Sequence, residues 1–155
     1  MVFDSLIKRY SYTIIGNDFT TAGKSSSDIK SNLKAIGIDA KIIRKIAIIS
    51  YEAEINIIIH SLGGQLHCDL YEDKIVITSE DIGPGIPDIE MAMTEGFSTA
   101  SDNVRELGFG AGMGLPNMKR YSDDFEISSS SNGTIIIITV LIWKGCSYEF
   151  FNYVW

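Results

Sequence analysis

The spacing of apolar residues predicts two consecutive helices in the first part of this chain. The second helix is predicted to begin after Asp39, a possible N-cap, and to end at the pair Gly63-Gly64. Its apolar side chains would cover more than one side of the helix. This pattern predicts a long helix that is buried against a sheet. A helical spacing also runs through residues 19–36 and stops at Gly37, a residue type that commonly ends helices.

Other segments favour β-strands because β-branched and aromatic residues dominate them. The last two of these are joined by Asn132-Gly133, a sequence that favours a tight hairpin turn. Short helices are predicted over 87–93 and 114–121, and segment 95–110 shows no period, which is typical of a mobile loop. The predicted strands are 8–15, 65–71, 74–79, 125–130 and 134–142.

The composition is that of one globular domain, with 155 residues, 45% hydrophobic and 21% charged. A formal net charge of −7 argues against binding to nucleic acid or to an anionic membrane surface. It does not argue against a nucleotide, because backbone N–H groups in glycine-rich loops bind phosphate without positive side chains. No segment is apolar over the ~18 residues of a membrane span, and the N-terminus lacks a signal-peptide layout. We therefore expect a cytoplasmic protein.

The first candidate site follows the strand predicted over 74–79, where residues 81–86 read Asp-Ile-Gly-Pro-Gly-Ile. The carboxylate of Asp81 can accept hydrogen bonds from the amine edge of a planar ligand. Gly83 and Gly85 let the backbone reach contact distance, where a Cβ atom would clash. Taken alone, the motif is explained equally well as an acidic turn.

Glu52, Asn56 and His60 lie four residues apart, so they follow one stripe of the long predicted helix. Polar groups on an otherwise apolar helix need partners. Glu52 and Asn56 are therefore either satisfied within the core, or they act as a base and as a Mg²⁺ ligand beside a phosphate. We expect His60 to be structural and Glu54 to point away from this stripe.

A glycine-rich loop precedes the helix predicted over 114–121. Such a loop exposes N–H groups and ends at the positive end of a helix, which favours phosphate binding. The pattern matches neither the P-loop nor the dinucleotide-binding fingerprint, and a flexible loop without a ligand is the alternative. The alternating glycines are Gly108, Gly110, Gly112 and Gly114.

Together, three motifs resemble the conserved boxes of the GHKL ATPase superfamily, in order and in spacing, over residues 8–142. They are Glu52-x-x-x-Asn56, Asp81-x-Gly83-x-Gly85 and Gly110-x-Gly112-x-Gly114. The resemblance implies an α+β fold, the Bergerat ATP-binding fold. This is a two-layer α/β sandwich with helices on one face of a mixed, largely antiparallel sheet. It also implies ATP and Mg²⁺ as cofactors.

The resemblance further implies a role for each matching residue. Asp81 would read the adenine amine, Asn56 would hold Mg²⁺, and Glu52 would be the catalytic base. Residues 95–111 would form a lid over the nucleotide. The remaining positions implied to bind the nucleotide are Gly83, Gly85, Ile86, Gly108, Gly110, Gly112, Met113, Gly114, Leu115 and Thr134.

Within the superfamily, residues 110–120 and 123–127 are most similar to the anti-sigma-factor serine/threonine kinases of bacterial sporulation and stress switches. That likeness implies a protein partner, either an anti-anti-sigma (STAS-type) substrate or a sigma factor, and it implies a homodimer. Phe109 and Ala111 stand where those kinases often carry a basic residue. Two alternatives stay open: an ATP-gated binding switch without phosphoryl transfer, and a stand-alone histidine-kinase-type catalytic domain.

We predict an ATPase domain over residues 1–142 and a C-terminal aromatic tail over 143–155. The tail either folds over the sheet edge or forms a contact surface for a second copy or a partner, since exposed aromatic patches tend to be contact sites. Its aromatic residues are Trp143, Tyr148, Phe150, Phe151, Tyr153 and Trp155.

Overall fold

The structure is a computed structural model that describes residues 5–142. The predicted aromatic tail, 143–155, lies outside the described residues. The strands are β1 Lys8–Ile15, β2 Gly63–Leu70, β3 Lys74–Asp81, β4 Asp124–Ser130 and β5 Gly133–Leu141. The helices are α1 Lys24–Ala35, α2 Ala40–His60, α3 Ile89–Ala92, α4 Asp102–Glu106 and α5 Gly114–Tyr121, with a 3₁₀ turn at Phe19–Thr21.

The strands form one sheet in the order β1-β2-β3-β5-β4. Every strand pair that the structure describes is antiparallel. The predicted α+β fold with a largely antiparallel sheet is confirmed, but the expected mixed character is not found. The reason lies in β5, which inserts between β3 and β4. Those two strands run in the same direction, and the inserted strand makes both pairings antiparallel.

The core lies between one face of the sheet and the helices. Alternate residues of the central strands point to this face and are fully or almost fully buried, among them Leu66, Cys68, Ile75, Ile77 and Ile138. Helix α2 packs on the sheet and is flanked by α1 and α5. This position explains why α2 is apolar on more than one side. No helix within residues 5–142 is both long enough and apolar enough to cross a membrane.

Two predicted segments differ from the structure. The single helix expected over 19–36 is divided into a 3₁₀ turn and α1, because Gly23 between them adopts a left-handed φ of 87°. The segment 95–110, expected to have no regular structure, contains α4. Ser101 caps this helix by accepting a hydrogen bond from the Val104 N–H at 3.4 Å.

Candidate active site

A cavity of about 420 Å³ lies between α2, the ends of β3 and β5, and the segment from residue 84 to residue 115. Its volume falls within the range of roughly 300–1,000 Å³ that small-molecule sites occupy. The structure brings nearly all the predicted site residues to its wall. These are Glu52, Asn56, Asp81, Gly85, Ile86, Gly108, Gly110, Gly112, Met113, Gly114, Leu115 and Thr134.

Gly83 is the exception, since it was predicted to line the cavity and instead lies behind it. Its N–H donates to the Asn132 carbonyl at 3.3 Å. A Cβ atom at this position would lie 3.2 Å from the Ser61 Cα, directly after α2. Gly83 therefore allows the chain after β3 to pack closely against the end of α2, and it acts on the cavity wall only indirectly.

Asp81 marks one end of the cavity. Its Oδ1 accepts a hydrogen bond from the Thr134 backbone N–H at 3.0 Å, while Oδ2 has no partner among the described residues. Burial raises the pKa of the Asp81 carboxyl, and the bond from Thr134 opposes that rise. The arrangement holds one oxygen in place and leaves the second able to accept a hydrogen bond from a ligand amine.

A serine that the sequence analysis missed holds the chain after Asp81 against the β4–β5 hairpin. The Ser129 hydroxyl accepts a hydrogen bond from the Ile86 N–H at 2.7 Å and lies 2.8 Å from the Thr134 hydroxyl. Gly85 beside it has a φ of 74°, and a Cβ there would lie 1.9 Å from the Ser130 carbonyl oxygen. Only glycine allows this approach. The available sequence signal was the period-2 pattern of β4, which points Ser129 towards the helices.

Glu52 and Asn56 mark the opposite end of the cavity, one turn apart on α2. The first residue of α5, Gly114, lies against both: a Cβ there would be 3.1 Å from the Asn56 Oδ1 and 3.4 Å from the Glu52 Oε2. Glycine thus lets the N-terminus of α5 approach these two side chains. Asn117, one turn further along α5, donates from Nδ2 to the Glu52 Oε1 at 3.0 Å. No motif in the sequence points to Asn117.

Glu54, on the same helix, takes no part in the cavity. It points away from the stripe, as predicted, and only 1% of it is exposed. Its carboxylate accepts hydrogen bonds from the backbone N–H groups of Ser25 and Ser26, each at 3.1 Å. These N–H groups belong to the first turn of α1 and have no partner within that helix. Glu54 therefore stabilises the start of α1 from a neighbouring helix.

The two ends of the segment that is predicted to form a lid are held together by a contact between Gly96 and Gly112. The Gly96 N–H donates to the Gly112 carbonyl at 2.9 Å. Gly112 has a φ of 77°, and a Cβ there would lie 2.4 Å from the Gly96 carbonyl carbon. Within the segment, Arg105 donates from Nη2 to the Ser98 carbonyl at 3.0 Å. Phe109 packs against Phe19, with ring centroids 5.4 Å apart and ring planes tilted by 32°.

The two ends of the cavity fit the two ends of a nucleotide. The half-buried Asp81 suits the amine edge of a base. At the other end, α5 begins with Gly114 and Leu115, whose N–H groups have no intrahelical partner and suit phosphate oxygens. No cluster of three or more His, Cys, Asp and Glu residues within 5–142 could hold a metal ion. The Asn56 oxygen fits Mg²⁺, which takes few protein ligands when phosphate oxygens and water supply the rest.

Residues 41–143 match the family model described as histidine kinase-, DNA gyrase B-, and HSP90-like ATPase. The chain belongs to this family. Membership confirms the resemblance to GHKL ATPases and makes the domain an ATP-binding one.

Curated relatives match part of the chain. The serine/threonine-protein kinase RsbT of Bacillus subtilis is 38% identical over 86 residues, which is 52% of this chain and 59% of that protein. The anti-sigma F factor of Clostridium novyi is 35% identical over 94 residues, 56% of this chain and 62% of that protein. The chain spans less than two thirds of the length of either relative.

A solved structure supports the fold. The SiaB-SiaC complex from Pseudomonas aeruginosa contains a chain that matches with a TM-score of 0.56 and 10% identity, over 88% of this chain and 90% of that chain. At this identity the likeness concerns the fold alone.

Proposed function

We propose that this protein is a Mg-ATP-dependent serine/threonine protein kinase that phosphorylates a partner protein of the anti-anti-sigma (STAS) type. The single observation that carries the proposal is the pairing of Glu52 with Asn56 at the N-terminus of α5, one turn apart on α2 and both against Gly114. In this proposal the pair supplies a base and a metal ligand at the end of the cavity that suits phosphates. The similarity to a serine/threonine-protein kinase and to an anti-sigma factor supports the same class of activity.

In this proposal the cavity orients the nucleotide from both ends. Asp81 accepts from the adenine amine, and Thr134 and Ser129 hold that end rigid. The glycine-rich segment and the first N–H groups of α5 take the phosphates. When bound, Mg-ATP supplies the γ-phosphoryl group, with the metal held in part by Asn56 and offsetting the phosphate charge.

Glu52 acts as the general base of the transfer. The hydroxyl oxygen of the partner's serine or threonine forms a bond to the γ-phosphorus, while the bond from phosphorus to the β-γ bridging oxygen breaks and ADP leaves. The hydroxyl proton goes to Glu52. The protein contributes mainly by positioning and by charge stabilisation, as is general for phosphoryl transfer. A homodimer is part of the proposal by its likeness to the anti-sigma kinases.

One observation favours a second function, an ATP-gated binding switch. No lysine or arginine within the described part of the chain lines the cavity. Where kinases of this type often carry a basic residue, Phe109 packs on Phe19. Arg105 is held to the backbone of its own segment. A protein that binds ATP and releases or retains a partner would need no cation to stabilise a transferring phosphoryl group.

The test is transfer of label from γ-labelled ATP with Mg²⁺ to proteins in an extract of the source cells. Wild type is compared with Glu52→Gln, and with Glu126→Gln as a matched control, since Glu126 is exposed on β4. We expect one small labelled protein with wild type and the control, and none with Glu52→Gln. Absence of label in every sample, with ATP binding measured in the same preparation, would overturn the kinase proposal and favour the switch.

A further inference from the structure

Glu52 has one oxygen anchored by a side-chain hydrogen bond and one oxygen that lies beside Gly114 at the start of α5. Asn117 donates from Nδ2 to the Glu52 Oε1 at 3.0 Å. Among residues 5–142, Asn117 is the side chain that donates a hydrogen bond to Glu52. The second oxygen, Oε2, is the one that lies against Gly114 at the start of α5. The hydrogen bond therefore holds one carboxylate oxygen and leaves the other, at the start of α5, without a hydrogen-bond donor among residues 5–142.

A glutamate base needs such an anchor. Its side chain is long and loses considerable rotamer freedom when it is fixed. A base must lie within hydrogen-bond reach of the proton that it takes, and small misplacements lower rates steeply. Glu52 is only partly buried, so packing alone leaves its carboxylate free to rotate. A hydrogen bond to one oxygen of an ionised carboxylate, which is stronger than a neutral one, fixes the other.

The bond is not needed to attach α5 to the rest of the domain. That helix is already held by Leu115, which is 8% exposed, and by Met118, which is fully buried. The Asn117 backbone is bonded within its own turn, from its N–H to the Met113 carbonyl at 2.9 Å. The side-chain amide is thus left with Glu52, on the face of α5 next to α2.

We propose that Asn117 is a positioning residue for phosphoryl transfer, which orients the Glu52 carboxylate so that Oε2 takes the substrate proton. The inference rests on the proposed kinase function. It also links the base to the helix whose first N–H groups face the phosphates, because Gly114 and Asn117 lie one turn apart on α5. Movement of α5 on nucleotide binding would carry the anchor of Glu52 with it.

Two substitutions test the inference. Asn117→Leu removes the donor at similar size, and Asn117→Asp keeps the shape but turns a donor into a second carboxylate beside Glu52. The matched control is Asn32→Leu, since Asn32 makes the same kind of bond, from Nδ2 to the Asp28 Oδ2 at 3.0 Å, on the exposed side of α1. The measured quantities are kcat and the KM for ATP in transfer to the partner, the melting temperature, and the carbon-13 resonance of the Glu52 carboxyl.

We expect both Asn117 variants to lower kcat by about 10- to 100-fold, by analogy with the loss caused by removing the hydrogen-bond partners that orient ligand side chains at metal sites. The KM for ATP and the melting temperature should stay near those of wild type and of Asn32→Leu. The Glu52 carboxyl resonance, assigned by its loss in Glu52→Gln, should shift in Asn117→Leu and not in Asn32→Leu.

Two results would overturn the inference and leave the kinase proposal standing. One is an unchanged kcat in Asn117→Leu. The other is a fall in kcat that follows an equal loss of ATP affinity or of melting temperature, which would make the bond a structural tie. If wild type binds ATP but transfers nothing to its partner, the kinase proposal fails, and the positioning role fails with it.

Discussion

Substitution of Asp81 by asparagine should separate nucleotide binding from folding. The asparagine oxygen can still accept the hydrogen bond from the Thr134 N–H, which spans 3.0 Å in the structure. Its NH₂ group then replaces the free carboxylate oxygen. In the bound state this amide would face the adenine amine, so a donor would meet a donor.

The expected loss of ATP affinity follows from replacing this one hydrogen-bond acceptor with a donor. A hydrogen bond to a charged group contributes roughly 1.5–3 kcal/mol to binding. Since about 1.4 kcal/mol changes an affinity tenfold, Asp81→Asn should weaken ATP binding by about 10- to 150-fold.

The stability of the folded chain, in contrast to its ATP affinity, should not decrease in Asp81→Asn. Burial raises the pKa of the Asp81 carboxyl above its ordinary value of 3.8. The ionised group is therefore less favourable in the folded chain than in the unfolded chain, so stability falls as the pH rises from 3.8 through the folded-state pKa, and the full cost is present above it. Asp81→Asn removes this cost, so its melting temperature at neutral pH should not fall below that of wild type. The difference should shrink as the pH is lowered towards 3.8.

The assay pairs isothermal titration calorimetry with ATP and thermal unfolding across pH, with Asp124→Asn, at an exposed position of β4, as the control. ATP affinity that survives Asp81→Asn would show that Asp81 does not read the base. A weaker affinity accompanied by a much lower melting temperature at neutral pH would show that the substitution damages the fold and that the buried carboxylate does not lower stability.

Three further predictions concern other parts of the domain. Gly112→Ala should weaken ATP binding far more than Gly108→Ala, because a Cβ at Gly112 meets the Gly96 backbone at 2.4 Å while Gly108, also left-handed, faces open space; equal calorimetric affinities would contradict this. Glu54→Ala should lower the urea-unfolding free energy by about 2–5 kcal/mol, since two buried N–H groups lose their acceptor; an unchanged midpoint would show that water replaces it. Burial raises the pKa of the Cys68 thiol from 9.0 to about 12. Peptide mapping after alkylation near pH 9.0 should therefore find Cys68 unlabelled until the chain unfolds. For the same reason, the stability of the fold should decrease as the pH rises from 9.0 towards 12.

Local sequence signals predicted most elements of the fold. The turn signal Asn132-Gly133 correctly indicated a hairpin, and the apolar period of α2 indicated a helix packed on a sheet. The strand order could not be read in the same way. Placing β5 between β3 and β4 depends on long-range pairing, including the close approach of Gly133 to the Asp81 carbonyl. No local period carries that information.

The candidate site likewise contains residues that local sequence signals predict and residues that they do not. The motif residues themselves identified both ends of the cavity, because their chemistry and spacing are local. The partners that hold them are distant in sequence: Ser129 is 43 residues from Ile86, and Asn117 is 65 residues from Glu52. An amide or a hydroxyl on a helix or a strand gives no sign, within its own segment, of the group that it will meet. Such partners become visible only after the sheet has been assembled.

The most direct test of the kinase proposal is the intact mass of the purified partner protein after incubation with this protein and Mg-ATP. We predict that the partner gains one phosphoryl group on a serine or threonine with wild type, and keeps its mass with Glu52→Gln. A partner that binds the ATP-loaded protein but keeps its mass unchanged with wild type would contradict the account and leave the ATP-gated switch in its place.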